Sequence, residues 1–152
     1  MGFIVPLTGM RTRVKICGIT RPEDGRAAAR AGADAIGLVF YAQSPRYVAL
    51  QQAQAICRAL PPFVSVVALF VNARREQVTE VLNAIPVDLL QFHGNEQAEQ
   101  CVSFGRPYIK AIGMREGSDP LSTMEVHPEA CGFLLDAWQP ELHGGGGVIF
   151  DW

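Results

Sequence analysis

Short apolar, β-branched runs recur along this chain: RVKIC (13–17), AIGLVF (35–40), VSVVALFV (64–71), DLLQFH (88–93), YIKAI (108–112) and GFLLD (132–136). Runs of this length read as strands. Several are apolar at nearly every position, the pattern of strands covered on both faces. Between them the period changes. PEDGRAAARAG (22–32) opens on proline and acids and stops at a glycine, which are helix start and stop signals. LQQAQAICRAL (50–60) and REQVTEVLNAI (75–85) repeat apolar residues at helical spacing. NEQAEQCVSF (95–104) does the same, with Asn95 in position to cap it. The pattern in SDPLSTMEVHPEA (118–130) is less regular. Strand and helix alternating in this way predict βαβ units and a parallel α/β sheet.

Two architectures satisfy that order, an open doubly wound sheet and a (β/α)8 barrel of which about six units are present. Polar, chemically capable residues close one strand after another. Cys17 ends the first, His93 the fourth and Asp136 the sixth, and Ser44-Pro45-Arg46 follows the second. A barrel brings all such C-terminal ends to one mouth, whereas an open sheet gathers its site at a single switch point. The barrel is therefore the expected fold.

Composition narrows the class. The 152 residues are 49% hydrophobic and 18% charged, with a net charge of −2. That balance argues against nucleic-acid and membrane-surface partners, which need a clustered excess of Lys and Arg. No apolar run approaches the roughly 18 residues that span a bilayer. Residues 1–12 carry no basic region ahead of their apolar stretch and read as an N-terminal leader before one barrel domain over 13–152. The four cysteines form no CxxC, and the histidines have no ligand spacing, so no metal site is expected. Scattered cysteines without a signal peptide suggest a cytoplasmic location.

Five groups are candidates for chemistry. Lys15 and Cys17 share one face of the first strand, roughly 7 Å apart. A cation beside a thiol favours the thiolate, so Cys17 reads either as a base or as a small buried cysteine. Asp136 ends an apolar run, where it is either a general acid or a loop cap. Arg46, in the proline-fixed SPRY loop, is either an anion-binding fork or a solvated charge. His93, before Gly94, reads either as catalytic or, more readily, as hydrogen-bonded at the mouth. The glycines 144–147 make either an anion-binding nest or a plain loop.

Taken together, VKICGIT, GADAIGLVFY with SPR, LFVN, LLQFHG, YIKAI, LLDAW and the closing HGGGGVIFDW resemble the phosphoribosylanthranilate isomerase family of tryptophan biosynthesis. The resemblance implies a (β/α)8 TIM-type barrel and an Amadori rearrangement. N-(5-phosphoribosyl)anthranilate would become 1-(2-carboxyphenylamino)-1-deoxyribulose 5-phosphate. It implies that Asp136 is the general acid and Cys17 the general base, and that Arg46 holds the anthranilate carboxylate. The expected substrate-binding set is Lys15, Arg46, His93, Gly144, Gly145 and Gly147. The partner is a small phosphosugar, and neither a metal nor an organic cofactor is implied.

Two departures from the family follow. Its loop reads GGTG, so Gly146 stands where a threonine is expected. The family also continues past FDW for about a quarter of its length, the share of two βα units in eight. The loops after the seventh and eighth strands commonly hold phosphate in such barrels. Two functional readings result: an isomerase, or an inactive barrel piece that acts as an assembly or complementation partner. Exposed barrel edges would also favour a homodimer. A different phosphosugar enzyme of barrel type fits KICG and QFHG less well.

Overall fold

The structure, a computed structural model, describes residues 11–114 and 119–137. Over these, strand and helix alternate strictly: β1 (Lys15–Cys17), α1 (Pro22–Arg30), β2 (Ala35–Val39), α2 (Leu50–Ala59), β3 (Ser65–Phe70), α3 (Arg75–Ala84), β4 (Leu89–Phe92), α4 (Ala98–Val102), β5 (Tyr108–Met114), α5 (Pro120–Glu125) and β6 (Gly132–Ala137). The strands lie in one parallel sheet in the order β1-β2-β3-β4-β5-β6. A doubly wound sheet would reverse direction partway across. The monotonic order is that of a barrel wall.

The wall is curled. Three strand spacings separate β1 from β4, about 14 Å in a flat sheet. Yet Lys15 Nζ on β1 donates to Gln91 Oε1 on β4 at 2.9 Å. Likewise His93, just past β4, lies 3.1 Å from Asp136 on β6. These contacts span the concave face and bring its far sides together.

Strand alternation sorts the side chains into two layers. On the convex face Ile36, Leu38, Val66, Ala68, Phe70, Leu90 and Phe92 pack under helix residues Ala28, Ala53, Ile56, Val78, Val81 and Cys101. Phe40, Phe70, Phe92 and Tyr108 run across this layer with ring centroids 5.5, 6.3 and 5.9 Å apart. Such pairs add about 0.5–1.5 kcal/mol each beyond area burial. On the concave face Val39, Leu69 and Val71 pack with Cys17 and Tyr41.

Helix starts follow the sequence signals in part. Pro22 with Glu23 and Asp24 opens α1, and Gly32 turns the chain out of it at φ +91°. Asp119 caps α5, accepting from Leu121 N at 3.0 Å. The cap expected at Asn95 is not formed, because α4 begins at Ala98 with Gln97 as its N-cap. The Asn95 N–H donates instead to Asn72 Oδ1 at 2.7 Å, holding residues 94–97 as a loop. β5 runs two residues beyond the expected strand, as far as Met114. Arg11, in the segment read as a leader, pairs with Asp34, whose carboxyl is held well below the usual range by Arg11 and the Val14 N–H. Among the described residues no helix is long and apolar enough to cross a membrane.

Candidate active site

The concave face collects its polar groups at the C-terminal ends of the strands. Cys17 is the last residue of β1 and is half-buried. Its strand neighbour in register is Gly37. A Cβ built on Gly37 would stand 2.7 Å from Cys17 Sγ, so the glycine makes room for the thiol. Lys15 lies on the same face, as expected, and its ammonium is engaged by Gln91.

Arg46 is anchored at the same strand end. Its Nη1 donates to the Cys17 carbonyl at 3.1 Å, and its backbone N–H to Ser44 Oγ at 3.2 Å. The next residue, Gly18, adopts φ +86°, and a Cβ there would overlap the Arg46 side chain. A half-buried guanidinium strapped over β1 is thus a fixed part of the mouth.

His93 and Asp136 meet across the mouth, with Nε2 and Oδ2 3.1 Å apart and side-chain exposures of 12% and 23%. His93 Nδ1 is 3.2 Å from Gln91 Nε2. Of the candidate residues, then, Lys15, Cys17, Arg46, His93 and Asp136 come to one end of one face. Gly144, Gly145, Gly146 and Gly147, with Phe150 and Trp152, lie outside the described residues.

Gln91, 1% exposed, escaped the sequence reading although it stands two residues before His93 and therefore on its face. A buried support beneath His93 escaped it too. Lys110 on β5 donates to the Gly94 carbonyl at 2.6 Å and lies 3.5 Å from Glu96 Oε2. Glu96 accepts from Asn72 N at 2.7 Å and Gly94 N at 2.9 Å. The pair ties the turn after β4 to β5 and to the turn after β3. Lys110 was legible only as a cation inside an apolar strand, an expensive position that implies a partner.

Two of the other cysteines lie in surroundings that disfavour their thiolates. Burial, with Asp88 nearby, pushes the Cys57 thiol up to about 11. Burial, with Glu96 nearby, pushes the Cys101 thiol up to about 12. Both remain thiols at neutral pH. His127, 4% exposed, packs edge-on against Tyr108 and is held below its ordinary pKa by burial and Lys110. Among the described residues no group of three His, Cys, Asp or Glu could hold a metal ion.

Parallel strands in sequential order, curled so that thiol, guanidinium, imidazole and carboxyl converge at their C-terminal ends, define a (β/α)8-type barrel protein with these groups gathered at the mouth. Comparison with known proteins narrows the class. The family model described as N-(5'phosphoribosyl)anthranilate (PRA) isomerase matches residues 14–152, and the chain belongs to that family. The N-(5'-phosphoribosyl)anthranilate isomerase of Pseudomonas paraeruginosa is 58% identical over 140 residues, covering 92% of this chain and 66% of that protein. That of Nitrosococcus oceani is 57% identical over 143 residues, covering 94% and 69%. The crystal structure of phosphoribosyl anthranilate isomerase from Thermotoga maritima matches at a TM-score of 0.80 and 37% identity, over 91% of this chain and 67% of that one. A phosphoribosyl anthranilate isomerase in complex with reduced 1-(o-carboxyphenylamino)-1-deoxyribulose 5-phosphate matches at 0.77 and 37%. The chain thus spans about two thirds of the length of these relatives, rather than the three quarters expected from the family resemblance.

Proposed function

We propose that this chain carries the acid–base centre of a phosphoribosylanthranilate isomerase. The supporting observation is the placement of Cys17 and Asp136 on one concave face, with Arg46 fastened to the Cys17 carbonyl. Asp136 gives its proton to the furanose ring oxygen as the C1–O bond breaks, and the anthranilate nitrogen lone pair forms the imine. The Cys17 thiolate then takes the proton from C2, and the freed electron pair makes the C1=C2 enolamine. Transfer of the enol proton to C1 leaves the ketone. The protonated imine is itself the electron sink, so the sequence needs no redox partner.

Arg46 is assigned to the anthranilate carboxylate, which its planar fork fits in two parallel hydrogen bonds. Lys15 and His93 contribute to substrate binding through the groups they orient. Gly144, Gly145 and Gly147 are assigned to the substrate phosphate, since successive glycine N–H groups can converge on an anion.

Loss of phosphoribosylanthranilate fluorescence tests the assignment. Turnover is expected to disappear in Asp136→Asn and in Cys17→Ser while ligand binding persists. Near wild-type rates in either variant would remove that residue from its role.

A second reading concerns assembly. Val14 and Ile16, beside or within the edge strand β1, are 41% and 42% exposed. Uncovered edge strands pair readily with other chains. A homodimer through this edge would shift to monomer on Ile16→Lys, as sedimentation velocity would report.

A further inference from the structure

We propose that Gln91 and Lys15 are positioning residues that fix the proton on His93 and, through it, the carboxyl of Asp136. This inference rests on the reading of Asp136 as the acid.

Among the described residues the hydrogen-bond chain has only one consistent direction. Lys15 Nζ can only donate, so the Gln91 atom 2.9 Å away is the carbonyl Oε1. The amide NH2 then faces His93 Nδ1 at 3.2 Å and donates to it. A ring nitrogen that accepts a hydrogen bond carries no proton, so the imidazole proton is on Nε2. From there it donates to Asp136 Oδ2, 3.1 Å away. Turning the amide round would set NH2 against the ammonium, and Gln91 is buried from the water that could compensate.

The chemistry explains why this direction matters. A carboxylic acid beside an imidazole ordinarily loses its proton to it, because histidine is the stronger base by about 2–3 pKa units. With Nε2–H already aimed at Asp136, Nδ1 is the only ring position left to protonate. The Gln91 amide occupies that position with a donor. His93 is thereby kept from taking a proton from Asp136, while its Nε2–H holds Oδ2. Among the described residues, the charged or titratable groups on the same face or at its mouth are Lys15 and Cys17 from β1, Tyr41 and Arg46 from the loop after β2, and Asp136 from β6. Lys110 and Glu96 lie on the opposite face, under the Gly94 turn.

Nitrogen-15 NMR of histidine-labelled protein, without substrate, tests this directly. Wild-type His93 is expected as the Nε2–H tautomer. In Gln91→Glu a carboxylate can accept from both Lys15 and an Nδ1–H. His93 should then titrate about 1–3 pH units higher, the usual effect of an adjacent opposite charge. In Lys15→Met the amide is released, and a population of the Nδ1–H tautomer should appear. An Nδ1–H wild-type tautomer, or titration unchanged in Gln91→Glu, would overturn the proposal. If that variant fails to fold, the wild-type tautomer and Lys15→Met still decide. The readout requires no turnover, so failure of the isomerase assignment leaves the tautomer result standing. Conversely, a wrong tautomer in a protein whose turnover depends on Asp136 sinks the relay alone. In an active protein Gln91→Glu should lower kcat with KM little changed, since it alters the acid's proton rather than substrate contacts.

Discussion

The Cys17 thiol occupies the space that a side chain on Gly37 would need, 2.7 Å from the position of a built Cβ. The two residues are register partners on neighbouring strands, so neither can move without disturbing the ladder. Gly37→Ala is therefore expected to push the thiol off its position. A displacement of about 1 Å can cost about 100-fold in rate, and overpacking costs about 1–3 kcal/mol. Steady-state kinetics with a denaturant titration would show both. A wild-type kcat in a stably folded Gly37→Ala protein would mean that the thiol's position is not critical.

Arg46 and Gly18 form a second interlocked pair. Arg46→Ala should raise KM with kcat largely retained, because a carboxylate contact made equally in ground and transition states is lost. Gly18→Ala should act in the same direction, since it both strains a φ of +86° and displaces the Arg46 side chain. An Arg46→Ala protein with unchanged KM and reduced kcat would assign the guanidinium to the transition state instead.

The Lys110–Glu96 pair should matter for stability and, through Gly94, for His93. Both side chains are nearly inaccessible, at 5% and 1% exposure. Removing one member of such a pair leaves an uncompensated buried charge, which costs about 3–5 kcal/mol. Lys110→Met is expected to lose about that much in urea unfolding. A change well under 1 kcal/mol would show that the loop holds Glu96 without help from the lysine.

Two thiols, half-buried at Cys57 and buried at Cys101, predict behaviour in alkali. Burial pushes the Cys57 and Cys101 thiols up to about 11 and about 12 in the folded protein, above the ordinary thiol value of 9.0. Above pH 9 the unfolded chain loses these protons while the folded chain keeps them, so the unfolded state binds fewer protons and stability falls as pH rises. The contribution is intact below pH 9 and lost progressively from there to about 11–12. Stability measured against pH should decline over this window, and less steeply in Cys57→Ala/Cys101→Ala. An unchanged slope in the double variant would assign the decline to other groups.

Much of this architecture is legible in the chain because it is written in local periodicity. The six apolar runs become six strands with ends displaced by at most two residues. The recurrence of Cys17, His93 and Asp136 at strand ends anticipates a common mouth. What local pattern cannot carry is long-range hydrogen bonding. Asn95 has a capping side chain in the right place, but its N–H is taken by Asn72, 23 residues earlier in the chain, and the helix starts late. Gln91 resembles any polar residue in a strand until the curl brings Lys15 opposite, 76 residues away. Lys110 and Glu96 likewise look unrelated until β5 packs beside the turn after β4.

The central claim is that a base on β1 and an acid on β6 isomerise phosphoribosylanthranilate. The most direct measurement is its turnover by two proteins: this 152-residue chain, and a chimera adding the part of the Pseudomonas paraeruginosa relative that the chain does not cover. The account predicts turnover in at least the chimera, lost about a thousandfold or more when either Cys17→Ser or Asp136→Asn is introduced, the scale of removing an essential acid or base. Absence of turnover in both proteins, or turnover that survives both substitutions, would contradict it.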